Sequence, residues 1–197
     1  MKLSLNKFII INLIIYASSI FSSEEITPYK FTNYEEILKS SYIIPAHTRF
    51  TVQRKEANAP DIVYYFSRPN NTESYPIAIL CGGSSTKDSI SSIIHFHRYF
   101  LQEFLDLGIA VITIEQWGIE GNKINKEEFI AHYTRSQRLK DHQEVIQYLQ
   151  SNPPKNWNGK LIFLGTSEGG PIVTSLTEFY TDITLATINL AGAGDWS

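Results

Sequence analysis

Two spacings of apolar residues alternate through this chain. Continuous apolar runs occupy 76–81 (Pro76, Ile77, Ala78, Ile79, Leu80, Cys81), 109–115, 161–164 (Leu161, Ile162, Phe163, Leu164) and 183–190. Runs of this kind predict strands buried on both faces of a sheet. Between them lie helical stripes. Over 90–107 the stripe is Ile93, Phe96 or His97, Phe100, Phe104 and Leu107, with Gly108 as the stop. Over 135–150 it is Leu139, His142, Val145, Ile146 and Leu149, ended by Pro153-Pro154. Over 169–180 it is Ile172, Val173, Leu176, Phe179 and Tyr180. Upstream, Thr51, Gln53 and Lys55 alternate with Phe50, Val52 and Arg54, and strands over 49–55 and 62–67 are expected as an antiparallel pair with 56–61 as the turn. A short helix is expected at 34–39, capped by Asn33, and another within the charged stretch 122–133. Strand–helix alternation from Pro76 onward predicts an α/β fold, a three-layer α/β/α sandwich with a mostly parallel sheet.

One junction carries chemistry. The apolar run 161–164 leads into Gly165-Thr166-Ser167-Glu168-Gly169-Gly170, and a helical stripe begins at once. Gly165 and Gly169 remove side chains where strand and helix crowd together. Ser167 is then free to occupy a strained turn with its hydroxyl exposed. A plain Gly/Ser turn is the bland alternative. A phosphate-binding loop is disfavoured, because no Lys-Ser/Thr follows and the Gly-x-Gly-x-x-Gly spacing is absent. A second glycine-rich turn, Gly82-Gly83-Ser84-Ser85, ends the run 76–81. Glycines there let backbone N–H groups point into a cavity.

In these two turns and in its strand–helix order, the sequence resembles the α/β-hydrolase superfamily, from about 49 to 195. The Gly-x-Ser-Glu-Gly-Gly form is similar to that of esterases, lipases and prolyl-oligopeptidase-like peptidases. The resemblance implies Ser167 as nucleophile, with oxyanion donors from the N–H of Glu168 and from Gly83 or Ser84. It implies carboxylic ester or amide substrates, small-molecule or peptide, and neither metal nor organic cofactor. Asp195, after the last strand, stands where some members keep the triad acid, and a loop aspartate is the plainer reading. Trp117 is a pocket candidate in a turn that matches the shape, not the charges, of its family counterpart. Cys81 replaces a histidine that many esterases have before the glycine pair.

The family orders its triad Ser, acid, His. Here His47, His95, His97, His132 and His142 all precede Ser167. His132, in the region above the strand ends, is the least implausible substitute base, and His142 reads as a core histidine. The expectation is a fold whose C-terminal part is absent. The alternatives are a truncated or degenerate hydrolase without turnover, or a membrane-tethered binding protein.

Composition adds little to this picture. The 197 residues are 43% hydrophobic and 19% charged, with a net charge of −3, so one ordinary domain is expected and nucleic acid is not. The N-terminus changes the picture more. Lys2 and Lys7 precede an apolar stretch, and small residues (Ala17, Ser18, Ser19, Ser22, Ser23) follow. This predicts a signal peptide over 1–22, cleaved after Ser19 or Ser22, with a hydrolase domain over 23–197. Export to the periplasm or medium follows, without stable membrane insertion, since the stretch is shorter than the ~20 residues that span a bilayer. Cys81 is the only cysteine, so no internal disulfide forms.

Overall fold

The computed structural model describes residues 10–11, 47–70, 73–83, 85 and 90–190. All of them fall within one compact unit. The expected helix at 34–39 lies outside the described residues, and so does the expected signal segment apart from Ile10 and Ile11.

The strands are β1 (Ile10–Ile11), β2 (Thr48–Val52), β3 (Ile62–Ser67), β4 (Tyr75–Cys81), β5 (Ala110–Ile114), β6 (Ile119–Glu120), β7 (Lys123–Ile124), β8 (Trp157–Thr166) and β9 (Thr184–Leu190). The helices are α1 (Ile94–Asp106), α2 (Lys126–His132), α3 (Arg135–Ser151) and α4 (Gly169–Phe179). Seven strands form one sheet in the order β1-β9-β8-β4-β5-β3-β2. β2 and β3 run antiparallel, β3 meets β5 antiparallel, and the other pairs are parallel. β6 and β7 make a separate small hairpin.

The period of two along β4 creates the layers. Ile77, Ile79 and Cys81 pack with Val145, Ile146 and Leu149 of α3 and with Ile172, Val173 and Leu176 of α4. Ala78 and Leu80 face the other way, against Leu101 and Phe104 of α1. The result is the expected three-layer α/β/α sandwich, with helices on both faces of a mostly parallel sheet.

Two stripes differ from expectation at their ends. Leu107 of the first is 74% exposed, because α1 has ended and the chain turns at Gly108, with φ +73°. Phe179, in the last turn of α4, is likewise exposed. The first stripe also starts later than predicted, at Ile94, where the buried Glu115 carboxylate accepts the Ile93 N–H at 3.0 Å. A carboxylate at that helix end satisfies an otherwise orphaned donor. α2 and α3 are capped by Asn125 and Thr134, whose side chains accept from Glu128 N and Gln137 N.

Candidate active site

The order of the strands creates the site. From β4 the chain passes to β5 on one side and later to β8 on the other. The carboxyl ends of β4 and β8 therefore flank a point where connections diverge, the usual crevice of open α/β sheets. Cys81 pairs with Gly165 there, so the turns after both strands meet.

Ser167 has φ +50° and is exposed. A left-handed conformation at a non-glycine residue costs on the order of 1–3 kcal/mol and is kept only where the surroundings impose it. The surroundings here are the two glycines. A β-carbon on Gly165 would stand 2.5 Å from the Gly169 carbonyl oxygen and 2.6 Å from Val173 Cγ2. One on Gly169 would collide with the Cys81 carbonyl oxygen. β8, α4 and the end of β4 thus touch through backbone. The Ser167 N–H is fixed on Leu190 O at 3.2 Å, and Gly170 N returns to Ser167 O at 3.0 Å.

Gly83 lies directly against the serine. A β-carbon on it would be 3.1 Å from Ser167 Cβ and 3.6 Å from Oγ. Glu168 is the N-cap of α4, so its N–H belongs to the first, unpaired turn of the helix. Ser84 and Asp195 lie outside the described residues.

Arg138 joins the two turns. Its guanidinium, 5% exposed, donates through Nη2 to Gly82 O at 2.7 Å and through Nη1 to the Glu168 carboxylate at 2.9 Å. The same Nη2 stands 3.5 Å from Cys81 Sγ. The Tyr133 hydroxyl donates to the same Glu168 oxygen at 2.6 Å. His142 donates its Nδ1–H to Arg138 O at 2.7 Å, and its other ring nitrogen, Nε2, is buried without a hydrogen-bond partner among the described residues. Burial raises the thiol's pKa, but His142 and Arg138 outweigh it and hold Cys81 below the ordinary range. Burial likewise pulls His142 down, and Cys81 outweighs it, leaving the imidazole above its usual value.

The remaining histidines are held elsewhere. His97 is fully buried between Ser67 Oγ (2.9 Å) and Thr113 Oγ1 (3.0 Å). Burial, reinforced by His47 and Arg98, pushes its pKa down to about 3, so it is neutral. His47 packs edge-on to Tyr65 and His97, and His95 is exposed on α1. His132, the suggested substitute base, stacks flat on Trp117 at 3.8 Å, with Nδ1 donating to Glu128 O.

Trp117 lines an open cavity of about 680 Å3, shared with Arg54, Asp61, Gln116, Lys123 and Glu128. Neither Ser167 nor Gly83 lines it. The indole is 6% exposed and donates to Glu128, and the Arg54 guanidinium sits 4.1 Å above it. Arg54 in turn forms a two-pronged ion pair with Asp141, at 3.0 and 2.8 Å, both side chains nearly fully buried.

Sequence reasoning missed Arg138, Asp141 and Glu144 as buried residues. The signal was present, since Arg138, Asp141, His142, Val145, Ile146 and Leu149 share one helical stripe. The polar half of that stripe reads as solvent-facing until its partners are known. In the sequence Glu115 stands only as the end of an apolar run. It is buried and accepts from Tyr65 Oη, Ser92 Oγ, Ile93 N and Gly121 N. Burial and this carboxylate raise the Tyr65 phenol to about 12.

No known family profile matches the chain, and no curated protein matches it in sequence. Solved structures match in fold. Est1E from Butyrivibrio proteoclasticus is 19% identical with a TM-score of 0.53, over 73% of this chain and 50% of that one. A structure from an analysis of two fungal esterases of Rhizomucor miehei is 18% identical with a TM-score of 0.58, over 81% and 48%. A dienelactone hydrolase from Anabaena variabilis is 18% identical with a TM-score of 0.55, over 76% and 64%. The chain thus spans from about half to just under two thirds of the length of these structures. Taken with the strand order and the turn at Ser167, these likenesses lead to one conclusion: the chain has the α/β-hydrolase fold.

Proposed function

We propose that this protein is a serine hydrolase of carboxylic ester or amide bonds, with Ser167 as nucleophile. The observation that carries the reading is the exposed Ser167 at φ +50°, set against Gly83 across the carboxyl ends of β4 and β8. In this reading Ser167 Oγ adds to the substrate carbonyl, and the N–H groups of Gly83 and Glu168 receive the oxyanion. A serine hydroxyl also needs a base to take its proton. Because His47, His97, His132 and His142 have the other partners described above and His95 faces outward on α1, the reading assigns that base to a residue outside the described ones. The substrate is a small ester or amide, or a peptide, and the chemistry calls for no cofactor.

The placement of the five histidines, four of them packed or bonded elsewhere and His95 exposed on α1, also favours a second reading, in which the fold is kept for binding without turnover. A fluorophosphonate probe separates the two. Phosphonylation of Ser167 in the native protein, lost in Ser167→Ala, supports the hydrolase. Absence of labelling supports the binding protein.

Export through the N-terminal segment is part of the proposal, supported by Lys2, Lys7 and the apolar stretch before Ala17. The mass of the mature N-terminus tests it, since an intact Met1 contradicts cleavage. Among the described residues no helix is long and apolar enough to cross a membrane.

A further inference from the structure

The geometry points to Arg138 as the positioning residue that sets the oxyanion hole, by locking the Gly82–Gly83 peptide on one side and Glu168 on the other. This rests on the reading of Ser167 as nucleophile and adds to it a residue remote in sequence from both turns.

The reasoning starts from the peptide group. A trans peptide is planar, and its C=O and N–H point in opposite directions. The described chain has no cis peptide, so the Gly82 carbonyl and the Gly83 N–H are fixed relative to each other. A Gly-Gly peptide is the easiest of all to rotate, because neither flanking residue has a β-carbon to restrict it. Left alone, this turn has no intrinsic reason to face its N–H toward Ser167. Arg138 supplies one. Its Nη2 holds the Gly82 carbonyl at 2.7 Å, so the Gly83 N–H, on the opposite edge of the same planar peptide, is turned away from Arg138, and Gly83 itself lies against Ser167.

The same guanidinium holds the other donor's residue. Nη1 binds the Glu168 carboxylate at 2.9 Å, and Tyr133 Oη adds a second contact at 2.6 Å. One planar, permanently charged fork therefore spans both turns, which a flexible ammonium does not reproduce. Arg138 is itself held, since it is nearly fully buried and its carbonyl accepts the His142 Nδ1–H. Oxyanion holes work because their donors are in place before charge develops. Loss of Arg138 thus lowers the rate of acyl or phosphonyl transfer while leaving the probe's binding site intact.

The test compares phosphonylation kinetics of the native protein with Arg138→Met, Arg138→Lys and Ser167→Ala. The first-order phosphonylation step is separated from the half-saturating probe concentration. In Arg138→Met the first-order step falls by about 100-fold, the scale of one displaced oxyanion donor. The half-saturating concentration stays at the wild-type value. Arg138→Lys keeps the charge and aliphatic stem but reaches one partner only, so its rate lies between the two. It carries the test should Arg138→Met not fold. Wild-type rates in a folded Arg138→Lys or Arg138→Met overturn the inference while leaving Ser167 as nucleophile. If the native protein is not labelled at Ser167 at all, the underlying reading fails, and this inference with it.

Discussion

Gly169 packs so closely against Cys81 that a β-carbon on it would collide with the Cys81 carbonyl oxygen. This contact joins the helix after the serine to the strand that carries the glycine pair. It is the reason two turns so distant in sequence share one crevice. A methyl group at 169 must push α4 away from β4. Gly169→Ala is expected to lower stability by about 3 kcal/mol, at the upper end for overpacking. Urea-unfolding midpoints check this, and an unchanged midpoint contradicts the contact.

Relieving the strain at the serine has the opposite sign. With φ +50°, Ser167 occupies a conformation that glycine adopts freely. Ser167→Gly is expected to raise stability by about 1 kcal/mol while abolishing phosphonylation. Ser167→Ala removes the hydroxyl and keeps the strain, so its stability stays near that of the native protein. Thermal melts of the two variants, run together, test the difference.

Most of the sheet was legible because burial on both faces writes itself as uninterrupted apolar residues, as in Leu161 to Leu164 and Pro76 to Cys81. The turn at Ser167 was legible because its glycines answer a local steric demand. What stayed hidden depends on partners far along the chain. Arg54 and Asp141 lie 87 residues apart, and Arg138 and Gly82 lie 56 apart. The stripe that Arg138 and Asp141 share with Val145, Ile146 and Leu149 hints at burial, but no residue nearby in sequence shows which partners satisfy their charges. The stripe that carries His97 does not reveal its hydroxyl partners on β3 and β5, and the position of His132 near the strand ends does not reveal its stacking on Trp117.

The ion pair between Arg54 and Asp141 makes its own prediction. Both groups are out of solvent, so removing one leaves an uncompensated charge. Arg54→Met and Asp141→Leu are each expected to cost about 3–5 kcal/mol. The double variant is expected to cost much less than their sum, because neither charge is then stranded. A double-mutant cycle in urea measures the coupling, and simple additivity contradicts it.

His97 gives a pH dependence whose sign follows from its depressed pKa. The folded value is about 3 against an ordinary 6.5, so between these values the unfolded chain binds a proton that the native state refuses. Stability from this group is fully present above pH 6.5 and is lost as pH falls toward 3. Its slope approaches about 1.4 kcal/mol per pH unit. In His97→Gln that contribution disappears, and the fall between pH 6.5 and 4 becomes shallower. Unfolding midpoints across this range, native against variant, decide it.

Glu115 is expected to matter for α1. Its carboxylate accepts the Tyr65 and Ser92 hydroxyls together with the Ile93 and Gly121 N–H groups. Glu115→Ala strands these donors in a buried place and costs about 3 kcal/mol or more. Amide hydrogen exchange locates the damage, with protection lost first at Ile93 and Ile94.

The most direct test of Ser167 and its donors is a crystal structure of the fluorophosphonate adduct. The account predicts phosphorus bonded to Ser167 Oγ and the phosphonyl oxygen about 2.7–3.1 Å from the N–H groups of both Gly83 and Glu168. An adduct on another residue, or a phosphonyl oxygen turned away from both N–H groups, contradicts it.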